Sequence, residues 1–522
     1  NNNKVSTEVI KKMNDAMVNR GPDSEGFFIN ENFGMGMRRL SIIDLEKSNQ
    51  PIFSLDRKIS IIFNGEIYNY IEIRKELSTE GVNFFTNGDT EVILKLYEKY
   101  GENFIKKING MFSICIFDNR KEKKILLYRD RFGIKPLYYI KKNNEFIFSS
   151  SLNSFKNVIP NLKKSKESFL LYLTFNYFPG KHTVYEDVFC LEPGSLIKIE
   201  NNNFKIEQYF DVAKSKLSYD FKSFSIENIN YFLEDSIKIN LRSDVNLGLM
   251  LSSGIDSSII AFETAKLTKK VKSYSVDFEG KLDNEAMMAK MLSESLQMDH
   301  ESIYLKEKEL SELLPVIFKE IDEPCADTAI IPSYIISQKA KLDGVKVLLS
   351  GAGGDEIFAG YSRHYINFLS SFYGILSFLK FIDHSLINIL PFKYQNYIFK
   401  AMDKKYSYVS NTSGQNLGIL LNSLNNKEDK EFILNFIEKF LSKTIKHSFK
   451  INTLEIILSD LSFYLPDNIL LPFDKVTMLN SVEGRVPLLD HRIIEYINNF
   501  KFDVRMNGNA INNKKIMRIL YK

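Results

Sequence analysis

The sequence predicts two fold classes in tandem: an α+β sandwich over residues 1–200 and a doubly wound parallel α/β domain over residues 220–522. Three observations carry this. Short β-branched and aromatic runs bounded by Gly, Asn and Asp crowd the first 150 residues. From about Asp244 the rhythm changes to apolar strand, helix, apolar strand. A chain of 522 residues is also too long for one ordinary core.

In the first part, strands are expected at 27–30, 59–63, 111–117, 125–128, 137–140 and 146–148, with helices at 9–18 and 91–100. Residues 151–243, with the turn Glu192-Pro193-Gly194-Ser195, read as a connecting region. In the second part, strands are expected at 245–251, 272–278 and 345–349, and helices at 285–296 and 308–320. Past about residue 365 the pattern is mainly helical. The apolar stretch 368–390 is interrupted by Lys380, Asp383 and His384, so it reads as a buried helix rather than a membrane span.

Composition narrows the function. The net charge of +4, from 69 basic and 65 acidic residues, gives no footprint for nucleic acid. Three cysteines without C-x-x-C spacing make no disulfide framework, and the six scattered histidines contain no H-E-x-x-H. With no signal peptide and no spanning run, a cytoplasmic location is expected and a membrane partner is not.

Two loops carry chemistry. Leu251-Ser252-Ser253-Gly254-Ile255-Asp256-Ser257-Ser258 follows an apolar run and opens a helical pattern. Small residues at a helix N-terminus let backbone N–H groups close on an anion. A bare carboxylate beside phosphate would repel it, so Asp256 implies a bridging Mg²⁺. Ser350-Gly351-Ala352-Gly353-Gly354-Asp355-Glu356 repeats the logic after a second buried strand and offers Asp355 as a second metal ligand. Neither loop matches G-x-x-x-x-G-K-[ST], and the second fails G-x-G-x-x-G at Glu356. The blander reading of each is a turn that caps a helix.

The S-x-G-x-D-S pattern resembles the pyrophosphate loop of ATP pyrophosphatases. The chain as a whole resembles the glutamine-dependent, class B, asparagine synthetases. The strings that carry this are NRGPDSEG at 19–26, RRLSIIDL at 38–45, NGEIYNY at 64–70, NGDTEVIL at 87–94 and YRDRFGIKPLYY at 128–139. They continue with LSSGIDSS at 251–258, DEPCADTAIIP at 322–332, LLSGAGGDEIFAGY at 348–361, YLPDNILLPFDKVTM at 464–478 and VEGRVPLLDHR at 482–492.

The resemblance implies an N-terminal-nucleophile glutaminase sandwich followed by an ATP-pyrophosphatase domain. Glutamine supplies ammonia, ATP adenylates a carboxylate acceptor, and ammonia displaces AMP. It implies that Arg39 binds the glutamine carboxylate, that Asn64 and Gly65 form an oxyanion hole, and that Glu66 and Asp89 hold the α-amino group. The ATP site would take Leu251, Ser252, Gly254, Asp256, Ser257, Ser258, Val276, Ser350 and Gly351, with Asp256 and Asp355 on Mg²⁺. Glu356 would sit near the reacting carbon and Lys475 would neutralise charge on the α-phosphate and pyrophosphate. The blander readings are a plain β-turn for Asn64-Gly65 and a solvated surface lysine for Lys475. A homodimer is a further expectation from the resemblance.

The family nucleophile is a cysteine in an N-terminal strand, whereas this chain begins at Asn1. The expectation is that about ten residues with that cysteine precede Asn1, since a strand of that length completes the sheet. Cys115, in an alternating strand pattern, reads as packing. At the other end, the K-x-G-F-type segment usual in the family is expected beyond Lys522. Aspartate is the expected acceptor. The alternatives are another carboxylate, an ammonia-only synthetase or cyclase, and a nucleotide-binding relative without catalysis. Arg39, Asn64, Gly65 and Asp89 weigh against a cyclase, and Asp256, Asp355, Glu356 and Lys475 weigh against a non-catalytic relative.

Overall fold

The computed structural model describes residues 4–142, 145–201, 203–217, 224–280, 285–365, 404–415, 417–446, 453–500 and 514–521. The first half is layered. A six-stranded antiparallel sheet runs in the order Asn203–Gln208, Ser195–Glu200, Lys124–Arg129, Gly110–Asp118, Ile59–Ile67, Ile52–Phe53. Period-two alternation splits its side chains between two cores. Ile59, Ile61, Phe63, Ile114 and Ile116 meet the helices Tyr70–Thr79 and Asp89–Tyr100 through Leu77, Val92 and Leu96. Ile62, Cys115, Phe117 and Leu127 face the other way, onto Phe33 and Met35 of the hairpin Ser24–Asn30/Phe33–Arg39 and Tyr139 of strand Tyr138–Lys142. The rings of Phe33 and Phe117 stack at 4.5 Å. Cys115 is therefore packing, and burial pushes its thiol far above the usual range.

One blander reading and one sequence expectation change here. Asn64-Gly65 is no turn: strand Ile59–Ile67 runs through both, opposite Ser113 and Phe112. Residues 151–243 are more than a connection, because Ser195–Glu200 pairs with Lys124–Arg129 and extends the first sheet. That pairing is non-local, so local pattern could not reveal it.

The second half holds a five-stranded, all-parallel sheet in the order His300–Leu305, Lys272–Phe278, Leu247–Met250, Val347–Leu349, Glu483–Arg485. Helices Ile255–Leu267, Glu285–Ser295, Glu307–Glu320 and Ile330–Leu342 make the crossovers. From Leu247–Met250 the chain builds outward to one edge, then returns to Val347–Leu349 on the other side. The strand order reverses between those two strands. Such a switch point opens a crevice at the carboxyl ends, and both small-residue loops leave from there. Beyond 404 the described chain is mostly helical, ending in His491–Asn498 and Lys515–Leu520. The stretch 368–390 lies outside the described residues. Among the described residues no helix is long and apolar enough to cross a membrane.

The halves share one core. Tyr68, Met111, Phe132 and Ile134 join Leu249, Leu251, Leu349 and Phe473 in a single cluster. Buried ion pairs cross the same surface: Lys135 Nζ to Asp474 at 3.0 Å, Arg20 to Asp474 at 2.8 Å, and Arg485 to Glu66 at 3.0 Å.

Candidate functional site

The nucleotide loops close on one another. Loop 251–258 is shaped by its own hydroxyls: Ser252 Oγ and Ser257 Oγ lie 2.9 Å apart, and Gly254 N–H donates to Ser252 Oγ at 3.1 Å. Ser258 Oγ donates to Gly254 O at 2.8 Å. Leu251 N–H donates to Tyr274 O at 2.8 Å, which places Val276 on the neighbouring strand just past the loop. The second loop is fixed by Ser350 N–H on Arg485 O at 2.8 Å. A Cβ on Gly354 would meet the Asp256 carboxyl carbon at 2.4 Å, and one on Gly351 would meet Ser257 N at 2.9 Å. Close backbone approach thus brings Asp256 and Asp355 together, as the two-loop reading expects.

The cation between them is Lys514. Its Nζ lies 2.5 Å from Asp256 Oδ2 and 2.8 Å from Asp355 Oδ1. Burial opposes the Lys514 charge, but the two carboxylates outweigh it and raise its pKa. Asp256 is itself pushed up to about 6 by burial, against Lys514 and with Asp355 adding to the rise. Its Oδ1 is buried without a partner. Lys514 had no marker in the sequence; it stands 258 residues from Asp256 in a polar run.

Lys475 sits in a different set of ion pairs. It is buried, with its ammonium 2.6 Å from both Asp322 Oδ1 and Glu323 Oε1. Asp322 also accepts from Leu152 N–H at 2.8 Å and from Ser151 Oγ at 3.1 Å, and Tyr138 OH reaches Glu323 Oε1 at 3.5 Å. The charge of Lys475 is taken by carboxylates that tie the two halves together. The solvated-surface reading does not describe it.

Glu356 follows Asp355 on the short helix Gly354–Ile357. It is buried, accepts from Tyr361 OH at 2.7 Å, and is pushed up to about 8 by burial. Arg363 lies 3.8 Å over the Tyr361 ring and 4.5 Å over that of Tyr464. Its Nε donates to the buried Asp460 at 2.9 Å.

A separate cavity of about 740 Å³ in the first half is lined by Arg39, Asn64, Gly65, Glu66 and Asp89. Gln50 places the Arg39 loop against strand Ile59–Ile67, giving Nε2 to Phe63 O at 3.0 Å and taking Phe63 N–H at 2.6 Å. Arg39 Nη2 donates to Ile43 O and Asp44 O at 2.8 and 2.9 Å, and Nη1 to Leu45 O and Asn49 Oδ1 at 3.3 and 3.2 Å. The guanidinium therefore builds the loop. Asn64 Nδ2 donates to Ser150 Oγ at 3.2 Å. Gly65 has φ +143°, and a Cβ there would lie 2.0 Å from Met111 O, so only glycine fits. Asp89 opens the helix Asp89–Tyr100 and accepts Ile67 N–H at 3.0 Å; burial pushes it up to about 6. Glu66 is pushed well above the carboxylate range by burial, with Asp89 adding to the rise and Arg485 opposing it.

One cavity offers a cation and two carboxylates, the complement of an amino acid's two charges. The other site offers small-residue loops at a switch point, where such sheets bind ligands, with two acids and a lysine beside them. A fold with both is a two-site enzyme of the amidotransferase–ligase class. Comparison with known proteins agrees. Residues 1–210 match the glutamine amidotransferase domain family and residues 228–521 the asparagine synthase family. Glutamine-hydrolyzing asparagine synthetase 1 of Bacillus subtilis is 35% identical over an alignment covering 94% of this chain and 77% of that protein. Glutamine-hydrolyzing asparagine synthetase 2 of the same organism is 29% identical, covering 94% of this chain and 64% of that one. Amidase chry2 of Gibberella zeae is 26% identical, covering 96% and 80%. The chain belongs to the glutamine-hydrolysing asparagine synthetase family, whose substrates include glutamine and ATP.

Proposed function

We propose that this enzyme makes asparagine from aspartate: ATP adenylates the side-chain carboxylate with release of pyrophosphate, and ammonia from glutamine displaces AMP. The observation that carries this is the meeting of Asp256, Asp355 and Lys514 at the switch point, with Glu356 beside them.

At the first site, Arg39 faces the glutamine carboxylate and Glu66 and Asp89 face its ammonium. The Asn64 amide and the Gly65 N–H meet the developing oxyanion. In net terms a water oxygen bonds to the amide carbon, the C–N bond breaks, and the nitrogen takes the water's proton, giving glutamate and ammonia. At the second site Ser252, Gly254, Ser257 and Ser258 hold pyrophosphate, while Leu251, Val276, Ser350 and Gly351 border adenine and ribose. Lys514, rather than Lys475, neutralises charge as the α–β bond breaks. Glu356 takes the proton that ammonia loses on attacking the acyl carbon. Asp256, with one buried oxygen unpartnered, and Asp355 would hold a Mg²⁺ ion. Bound there, the metal supplies Lewis-acid neutralisation of phosphate charge.

The test is ATP–pyrophosphate exchange across a panel of carboxylates. Exchange that depends on aspartate, with AMP as the nucleotide product, is the expected result. Formation of ADP would sink the adenylation reading. The similarity to Amidase chry2 supports a second acceptor reading within the same chemistry. Exchange with a sugar acid or peptide carboxylate but none with aspartate would favour it.

A further inference from the structure

The two oxygens of Glu66 have different fates. Oε2 accepts from Arg485 Nη2 at 3.0 Å, whereas Oε1 is buried with no partner. A buried carboxylate oxygen without a donor is costly, and one beside an amino-acid cavity is where a ligand N–H belongs.

Arg485 comes from the other half, at the end of strand Glu483–Arg485 in the parallel sheet. Its guanidinium is fully buried and held on every side. Nε donates to Glu483 Oε1 at 3.0 Å, and Nη1 to Asn240 O and Arg242 O, each at 2.7 Å. Three contacts thus fix the fork, and the arm left over reaches across the interface to Glu66. Burial of Glu66 beside Asp89 favours its neutral form, and a neutral carboxyl is a poor partner for an ammonium; Arg485 opposes that drift.

We propose that Arg485 is a positioning residue for the glutamine site, supplied by the synthetase half: it holds Glu66 by Oε2 and so presents Oε1 to the α-ammonium of glutamine. The inference rests on the glutamine reading of the cavity given above. It makes the first site incomplete without the second domain. The contribution is geometric: a planar fork held at three other points fixes the position of Oε2, which a lysine's single flexible ammonium does not.

Glutamine and ATP binding are measured separately by calorimetry on the full-length protein carrying Arg485→Lys, Glu66→Gln, both together, or Glu66→Asp. R485K is expected to weaken glutamine binding about tenfold or more while changing ATP affinity less than about twofold. The double variant should bind glutamine no more weakly than E66Q alone, because the effect of Arg485 passes through Glu66. E66D, which keeps the charge but shortens the bridge, should lose about tenfold as well. Wild-type glutamine affinity in R485K, independent losses in the double variant, near-normal binding by E66D, or equal loss of glutamine and ATP binding in R485K would each overturn the proposal. Failure of the unsubstituted protein to bind glutamine would instead overturn the glutamine reading on which it rests.

Discussion

Replacing Asp256 with Asn is expected to reduce pyrophosphate release by about 10³-fold or more, since metal-assisted neutralisation of phosphate charge is worth several kcal/mol. Asparagine is nearly isosteric, so the loop held by Ser252 and Ser257 should persist. What is lost is half the charge that Lys514 and a metal ion would share. Glutamine binding, in a cavity of the other half, should change less than about twofold. The comparison needs pyrophosphate release and glutamine calorimetry on one preparation. Normal amide synthesis by the variant would remove Asp256 from the phosphate site.

The two buried lysines should separate as sharply. Lys514→Met is expected to cut amide synthesis about 10²- to 10³-fold with little change in thermal midpoint. Removing Lys514 leaves two acids that a divalent cation can still neutralise. Lys475→Met leaves Asp322 and Glu323 facing each other in the interior without a cation. That should cost about 3–5 kcal/mol of stability, seen as a lower melting midpoint. Synthesis per folded molecule should fall less than about tenfold. If Lys475→Met melted normally and made no amide, the catalytic role would return to Lys475.

The contrast between these lysines marks the limit of sequence reading. Loops 251–258 and 350–356 were legible because each couples an apolar strand to a run of small residues, and both signals are local. Asp256 and Asp355 could be paired because two strand ends in one parallel sheet share a crevice. Lys475 beside Asp474 showed a charge but not its distant partners. Lys514 showed nothing at all, since its role depends on a contact 258 residues away. Strand Ser195–Glu200 was hidden for the same reason: its partner Lys124–Arg129 lies in an earlier part of the chain. Asn64-Gly65 suggested a turn because that dipeptide favours one. Pairing with Ser113 and Phe112 overrode the local preference.

The span between Asp256 and Lys514 also bears on the order of events during synthesis. At about 5–20 residues per second, the ribosome takes roughly 13–50 s to make the 258 residues that separate the acid from its lysine. Throughout that interval the amino-terminal sandwich is already outside the tunnel and free to fold. The site built on Asp256 and Asp355 therefore lacks its lysine on the nascent chain until long after the first half has been made.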